Sequence, residues 1–506
     1  MRTWLPPIYL ALSFVILLWD IALAGRIAQH RQSPRVFQAL SGLCALLVLP
    51  ALMLSLATST TITGRSVVTM DWIWPAMLVL FAVQALYALS HRIVNFMWGL
   101  PIAVYDVIIA GVGICRFLVA HGHALPLLGA TLLRAHAVTM TFATGTSMTL
   151  AVPFYTSIPM VSPAFPALSR LTASFRAAVA ALAFGWVLFL VTLGVPRAGR
   201  AERDEARRGA LRLRERPNAD FAIGIKILPD VSKPPPGPSV TNDLALVDSL
   251  NAAAVGVVFV PGASTLALDS VAHVIGPLQR DSSTVIVALG YRGTLLPELH
   301  HQPLNEAARV ETVRRIVRHV HPDILLPAED PYGIGSTLLG KLPVARWEAY
   351  ITDASRAAKQ IDPNVQIGIS IAAFSAADSA LFAWAIAPNS PVDVVGFSLF
   401  SSPYTGGDLE ALERAADRWM RSSRTDKDLW VFATGGFPLA YGEPNQASSI
   451  WQVLSWATDH PAIKGALIYE AGDYGRSRGL RAPDGRLRLA AMQVGAAIRG
   501  LNESAR

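Results

Sequence analysis

Several carboxyl residues in the second half of the sequence directly follow apolar runs, as side chains do when a buried strand delivers them to a loop. The stretch ILLPAEDPYG places Glu329 and Asp330 after three apolar residues and a Pro-Ala pair. Glu470 follows the run IKGALIY, and Glu443 lies in the loop after DLWVFATGG. Two nearby carboxyl groups can divide acid–base work, one donating a proton while the other acts as base or nucleophile. Glu329, Glu470 and Glu443 are therefore the candidate catalytic residues.

Tyrosines, acids and one arginine follow these and other apolar runs. Sugars present hydroxyl groups to acids and CH faces to aromatic rings, so this mixture suits a carbohydrate site. The predicted substrate-binding residues are Asp330, Tyr291, Arg292, Tyr404, Tyr441 and Asp473.

Short apolar runs alternate with helical stretches from residue 221 onward. The runs are near-continuous and rich in Val and Ile, as strands buried on both faces must be. The predicted strands are 221–228, 254–262, 284–291, 322–330, 365–374, 392–400, 428–436 and 463–473. The predicted helices are 243–250, 266–280, 305–320, 346–361, 379–387, 408–422, 445–459 and 486–501. Eight such units indicate an α/β (β/α)₈ TIM barrel, with its active site at the C-terminal ends of the strands. A doubly wound sheet is the alternative, although it rarely runs to eight such regular units.

The first two hundred residues have a different composition. Residues 1–199 contain 11 Arg and 3 acidic residues, and the whole chain is 52% apolar and 16% charged. A helix of about 20 largely apolar residues can span a bilayer. The segments that pass this test are 5–24, 36–57, 72–89, 93–120 and 177–195. Residues 137–169 form either a sixth, kinked span or an interfacial segment, because four prolines interrupt their second half.

These patterns predict three parts. Residues 1–196 form a multi-pass α-helical membrane domain of five or six helices, 197–216 an Arg-rich charged linker, and 217–506 the barrel. The chain is expected in the plasma (inner) membrane, with the lipid bilayer and membrane subunits as partners. Arginines after the first and last spans favour cytoplasmic loops. Five and six spans would place the barrel on opposite sides, so its side stays open.

The remaining composition excludes several classes of function. The basic pI comes from the first part and its junction, since residues 217–506 carry 25 Lys and Arg against 29 acids. A nucleic-acid partner is therefore not expected. Cys44 and Cys115 lie in apolar runs, where cysteine packs as a small hydrophobe. The chain has no CxxC or HExxH motif, and we predict neither a metal site nor a cofactor.

The barrel part resembles the large clan of retaining glycoside hydrolases with (β/α)₈ barrels. PDILLPAEDPYG is similar to the clan's fourth strand, which ends Asn-Glu-Pro with the glutamate as acid/base. RWEAYITDASRAAKQIDPNVQIGIS resembles the following helix and fifth strand, VDVVGFSLFSSPYT the sixth strand and DLWVFATGGFP the seventh. The resemblance covers about residues 221–475 and implies that Glu329 is the proton donor.

Three departures from the clan's pattern concern the site itself. Ala328 stands in place of the asparagine before the acid/base, and Asp330 in place of the proline after it. The seventh strand ends ATGGFP, without the clan's nucleophilic glutamate, and an arginine expected near the end of strand 2 is absent. The second carboxylate would then be Glu443, Glu470, or Asp330 acting beside Glu329.

Three functions stay open at the level of sequence. The chain is a membrane-anchored glycoside hydrolase-like enzyme acting on a polysaccharide or oligosaccharide, or a catalytically inactive glycan-binding subunit of a polysaccharide synthesis or export system. The clan residues that are missing favour the second, a pseudoenzyme. The third is a transporter or channel, supported by Asp106 inside a span and by the prolines of 153–166.

Overall fold

The computed structural model describes most of the chain. The described residues are 5–59, 72–121, 123–144, 158–160, 171–227, 231, 235, 237–280, 283–292, 301–400, 409–423, 426–436, 438, 442–473, 478–482 and 485–504. They divide into two compact units, one formed mainly by the described residues up to 204 and the other mainly by those from 205 onward.

The first unit is helical. Its helices are α1 (Leu5–Gln29), α2 (Arg35–Ser59), α3 (Ile73–Ser90), α4 (Phe96–Ala120), α5 (Leu127–Thr144) and α6 (Leu171–Phe189), followed by a π-helical turn (Leu190–Gly194) and α7 (Val195–Arg208). Four described stretches are long and apolar enough to cross a membrane: Arg35–Met53, Ile73–Ser90, Phe96–Val119 and Ser174–Arg208. The predicted region of apolar helices is therefore confirmed with four candidate spans. The predicted span 5–24 lies in α1, and most of 137–169 falls outside the described residues.

Two hydrogen bonds pair buried polar groups inside this unit. Gln84 Nε2 donates to Ser41 Oγ at 3.1 Å, and a carboxylate oxygen of Asp106 accepts the Met160 N–H at 2.8 Å. Large apolar side chains such as Leu46 are exposed on the outside. Internal pairing of polar groups with an apolar exterior is the arrangement that a lipid environment requires.

The second unit is a closed barrel of eight parallel strands, each paired with its neighbours in chain order. The strands are β1 (Ala222–Lys226), β2 (Ala254–Phe259), β3 (Thr284–Leu289), β4 (Ile324–Leu326), β5 (Gln366–Ile371), β6 (Val394–Phe400), β7 (Asp428–Gly435) and β8 (Ile463–Tyr469). The helices are α8 (Gly237–Leu250), α9 (Thr265–Arg280), α10 (Glu306–Val320), α11 (Ile334–Leu339), α12 (Val344–Lys359), α13 (Ala376–Ile386), α14 (Leu409–Ser423), α15 (Glu443–Thr458) and α16 (Leu489–Ser504). The predicted fold class is confirmed, with each predicted strand and helix near its place and the short α11 in addition.

Two apolar layers hold the barrel together. The outer layer packs alternate strand residues against the helices, and the inner layer consists of strand residues alone, among them Trp430, Phe432 and Leu467. Gly465 makes room for the inner layer, because a Cβ there would lie 2.5 Å from the ring of Trp430. The barrel interior is thus filled, and only its ends can bind a ligand.

The predicted linker is partly helical. Within the barrel unit, Arg208 Nη1 at the end of α7 donates to Ser449 Oγ at 3.1 Å, and Trp451 Nε1 donates to Leu211 O at 2.8 Å. The segment from 205 to 216 therefore packs on α15. The domain limits of 196 and 216 stay a prediction.

Candidate active site

Strand alternation directs a small set of polar side chains into the C-terminal end of the barrel. Ala222 belongs to the inner layer, so Lys226, four residues further along β1, also points inward. Ser398 lies four residues after the inner-layer Val394 in the same way. On β8 the inner-layer Leu467 is followed two residues later by Tyr469. These residues surround the position at which β4 ends.

Glu329 lies three residues beyond the end of β4 and is paired with Lys226. Lys226 Nζ donates to Glu329 Oε1 at 2.6 Å, and the two side chains are 4% and 12% exposed. The second carboxylate oxygen, Oε2, would lie 3.5 Å from a Cβ at Gly290, at the end of β3. A buried cation from β1 therefore holds one oxygen of a carboxylate from β4.

Asp330 follows in a left-handed conformation, with φ of 43°. Aspartate is one of the few residues other than glycine that adopt this region readily. Its N–H donates to Ser370 Oγ at 2.8 Å, and its Oδ1 accepts the Ser398 hydroxyl at 2.7 Å. Its carbonyl oxygen accepts the N–H groups of Gly333 and Gly335, both at 3.0 Å. Two inward serines and the next turn of chain thus fix this strained residue.

The environments of the two carboxyl groups differ. Burial, and next the nearby Glu329 carboxylate, raise the pKa of Asp330 to about 6, against the lowering effect of the Ser370 and Ser398 hydroxyls and of Lys226. Asp330 consequently keeps a proton in mildly acidic solution, while Glu329 accepts a hydrogen bond from an ammonium group. The two neighbouring carboxyl groups therefore lie in different surroundings, one beside a cation and one held by two serine hydroxyl groups.

An aromatic ring borders this pair. Lys226 Nζ lies 4.6 Å from the centre of the Tyr469 ring, and Arg478 Cζ lies 4.4 Å from it. Phe400 meets the same ring edge-on, with 5.8 Å between ring centres. The Tyr469 ring thus forms an aromatic surface beside the carboxyl pair, with the cationic groups of Lys226 and Arg478 next to it.

The two predicted residues after β3 differ in their surroundings. Tyr291 is buried, burial raises its pKa, and its ring packs 4.8 Å from the guanidinium carbon of Arg309. A Cβ at Gly335 would lie 2.7 Å from the Tyr291 hydroxyl oxygen, so the ring packs beneath α11. Arg292 is exposed and its Nε donates to Pro261 O at 3.0 Å, in the loop after β2.

The acids of the last two loops have other surroundings. Glu470 is 1% exposed at the end of β8, and its carbonyl oxygen accepts the Leu480 N–H at 2.8 Å. Asp473 receives hydrogen bonds from Arg488 Nη1 and Nη2 at 2.7 and 2.6 Å. Glu443 is the first residue of α15. These residues stay predictions, as do Tyr404 and Tyr441, which lie outside the described residues.

Four residues of the site escaped the sequence prediction, namely Lys226, Ser370, Ser398 and Tyr469. Three of them have a signal in the sequence, because Lys226 is a charged residue within the apolar run FAIGIKIL and the serines interrupt the apolar runs of β5 and β6. An inward polar residue near the end of a barrel strand costs free energy unless it has a hydrogen-bonding partner. No group of three or more His, Cys, Asp or Glu in the described part of the chain could hold a metal ion.

Comparison with known proteins gives structural likeness without sequence likeness. No family model matches the chain, and no curated protein matches it. Among solved structures it is similar to a β-glucuronidase from Ruminococcus gnavus in complex with D-glucuronic acid, with 12% identity and a TM-score of 0.41, covering 55% of this chain and 49% of that one. It is also similar to the exo-β-1,4-mannosidase Op5Man5 from Opitutaceae bacterium strain TAV5, with 12% identity and a TM-score of 0.44, covering 56% and 60%.

These structural neighbours are glycoside hydrolase barrels, the class that the sequence resembles. The chain spans about half to three fifths of their length. A likeness of this degree carries no argument about what this chain does, because one barrel supports many activities.

Proposed function

We propose that this chain is a membrane-anchored glycoside hydrolase-like enzyme that cleaves a polysaccharide or oligosaccharide at the C-terminal end of its barrel. The observation that carries the proposal is the carboxyl pair at the end of β4, in which Glu329 accepts a hydrogen bond from Lys226 while burial raises the pKa of Asp330 to about 6. Glycoside hydrolysis needs one protonated and one ionised carboxyl group beside the scissile bond. The four candidate spans support the anchor.

In this proposal the two carboxyl groups have different roles in the reaction. Asp330 donates its proton to the glycosidic oxygen as the bond to the anomeric carbon breaks, and water supplies the hydroxyl group that replaces the leaving sugar. The Glu329 carboxylate stabilises the positive charge that develops on the sugar ring, as nucleophile or as base for that water. Lys226 keeps Glu329 in place, and the Tyr469 ring offers an apolar face to the sugar. The sequence resemblance implied that Glu329 is the proton donor, whereas this proposal gives that role to Asp330.

The proposal is tested by sugar release from a panel of polysaccharides and aryl glycosides by the purified full-length protein. We expect hydrolysis of at least one substrate by the wild type and by Glu311→Gln, a variant on the exposed surface of α10. Glu329→Gln purified in parallel should be inactive on the same substrate. Equal activity in all three preparations would reveal a contaminating hydrolase, and binding without cleavage on the whole panel would favour a glycan-binding protein.

The pH dependence of hydrolysis should follow Asp330. Its pKa is raised to about 6, and the proposed reaction needs its protonated form, so kcat/KM should decline as pH rises above 6. Each further pH unit should cost about tenfold, because only the protonated fraction is active. The measurement is kcat/KM on one aryl glycoside between pH 4 and pH 8. A profile that is level from pH 5 to pH 8 would contradict the acid role of Asp330.

A further inference from the structure

Arg309 lies on the buried face of α10, and its guanidinium group reaches the C-terminal ends of two strands. The residue is 3% exposed. Nη1 donates to Gly290 O and Nη2 to Leu289 O, each at 2.9 Å. Nη2 also donates to Pro327 O at 2.9 Å, and Nε donates to the Tyr350 hydroxyl at 3.2 Å. A buried cation thus binds four acceptors that are all uncharged.

These carbonyl oxygens lie where the hydrogen-bond ladder between β3 and β4 ends. The last paired residues of the two strands are Ala288 and Leu326. Beyond them a buried carbonyl group needs another donor, since leaving it unpaired costs free energy. A guanidinium group offers five N–H donors in one rigid plane and can bind carbonyls of both strands at once. Arg309 therefore continues the connection between β3 and β4 after the ladder stops.

The same bonds lie directly next to the carboxyl pair. Leu289 O, which accepts Arg309 Nη2, also accepts the N–H of Glu329 at 3.3 Å. Pro327 precedes Glu329 by two residues, and the Tyr350 hydroxyl donates to its carbonyl oxygen at 2.7 Å. The backbone leading into Glu329 is thus tied to the arginine at two points, the shared acceptor Leu289 O and the carbonyl oxygen of Pro327.

We propose that Arg309 is a positioning residue for the carboxyl pair. It fixes the backbone at the ends of β3 and β4, so that Glu329 meets Lys226 and Asp330 stays partly buried in its left-handed turn. Its effect on catalysis rests on the proposed function, whereas its effect on the place of Asp330 does not.

Arg216 provides a control at the opposite end of the barrel, where another buried guanidinium group binds backbone carbonyls. It is 6% exposed and donates to the carbonyl oxygens of Thr458 at 3.3 Å, His460 at 3.2 Å and Ile463 at 3.2 Å. Unlike Arg309, it also pairs with a carboxylate, through Nε and Asp220 Oδ1 at 2.8 Å. Ile463 is the first residue of β8, so this cluster lies at the N-terminal end, which in this fold serves stability and not catalysis.

The experiment compares Arg309→Lys with Arg216→Lys in the full-length protein. Lysine keeps the charge but places its three donors on one atom, so it cannot reproduce the planar set of bonds. Both variants should lower Tm. Arg309→Lys should also lower kcat by about 10- to 100-fold, the effect of a small misplacement of catalytic groups, with KM nearly unchanged. Arg216→Lys should leave kcat unchanged, and Tyr350→Phe should act as a milder form of Arg309→Lys.

A second measurement does not depend on activity. The infrared band of the Asp330 carboxyl, identified by its loss in Asp330→Asn, is titrated in each variant. In Arg309→Lys and Tyr350→Phe the turn should loosen and admit water, so the midpoint should fall towards that of an ordinary aspartate, whereas Arg216→Lys should titrate as the wild type does. This shift would support the inference even if the wild type hydrolyses no glycan. An unmoved midpoint in both Arg309→Lys and Tyr350→Phe would overturn it, as would equal losses of kcat in Arg309→Lys and Arg216→Lys.

Discussion

Replacement of Glu329 by glutamine is expected to lower kcat for glycan hydrolysis by about 10³-fold, the size of effect seen when one charged or hydrogen-bonding group of a transition state is lost. Glutamine has the shape of glutamate and can still accept a hydrogen bond from Lys226, but it carries no negative charge. It can therefore neither stabilise the cationic transition state nor act as nucleophile or base. The loss should be the same for aryl glycosides with good and with poor leaving groups.

Loss of stability must be separated from loss of chemistry in this variant. Lys226 is 3% exposed, and removing the charged partner of a buried ion pair costs about 3–5 kcal/mol of folding free energy. The double variant Glu329→Gln with Lys226→Met removes both charges and should recover most of the lost Tm. Its kcat should stay as low as that of the single variant. Recovery of activity together with Tm would show that Glu329 serves the fold and not the reaction.

The barrel, and the position of the carboxyl pair at the C-terminal ends of its strands, could be predicted from the sequence for a physical reason. Strands buried on both faces must be apolar throughout, so the eight strands can be recognised in the sequence as apolar runs. Polar residues that follow these runs must lie at one end of the barrel. Glu329 and Asp330 are found through this argument alone. The spans at 72–89 and 93–120 are predictable in the same way, from the length of apolar sequence that a bilayer requires.

The partners of those residues could not be predicted. Lys226 and Glu329 are separated by 103 positions in the chain, and nothing local to either residue specifies the other. The left-handed turn at Asp330 depends on Ser370 and Ser398, which belong to two other strands. Arg309 was also hidden, because an arginine on a helix that carries several others is usually a surface residue. Its spacing from Val313 and Ile316, on the apolar face of α10, is the signal that could have identified it.

Replacement of Asp330 by asparagine should lower activity and raise stability at neutral pH. Asparagine adopts the left-handed region as readily as aspartate, and its amide oxygen can still accept the Ser398 hydroxyl, so the turn should persist. It has no acidic proton, and loss of a general acid typically costs about 10²–10⁴-fold in kcat. The loss should be smallest for aryl glycosides whose phenol is acidic, because that leaving group needs no protonation. This dependence on the leaving group distinguishes Asp330 from Glu329.

The stability of the same variant should depend on pH with a definite sign. Folding raises the pKa of Asp330 to about 6, from about 3.9 in an unfolded chain. The folded state therefore binds the proton more tightly, and the stability that this proton contributes is complete below about pH 4 and is lost as pH rises through 6. Asparagine does not titrate, so the Tm of Asp330→Asn should equal that of the wild type near pH 4 and exceed it by several degrees at pH 8.

The measurement is Tm of both proteins at several pH values between 4 and 8, with Asp353→Asn on the exposed surface of α12 as the matched control. The Tm difference for Asp330→Asn should grow between pH 4 and pH 6 and then stay constant, while that for Asp353→Asn should show no such rise. A gain of Tm with a loss of kcat would mean that the barrel keeps a buried, strained carboxyl group at a cost to its own stability, and catalysis is the reason that explains the cost. A lower Tm at pH 8 would instead make Asp330 a structural residue of the β4 turn, and the acid of the reaction would have to be sought at Glu329 or Glu470.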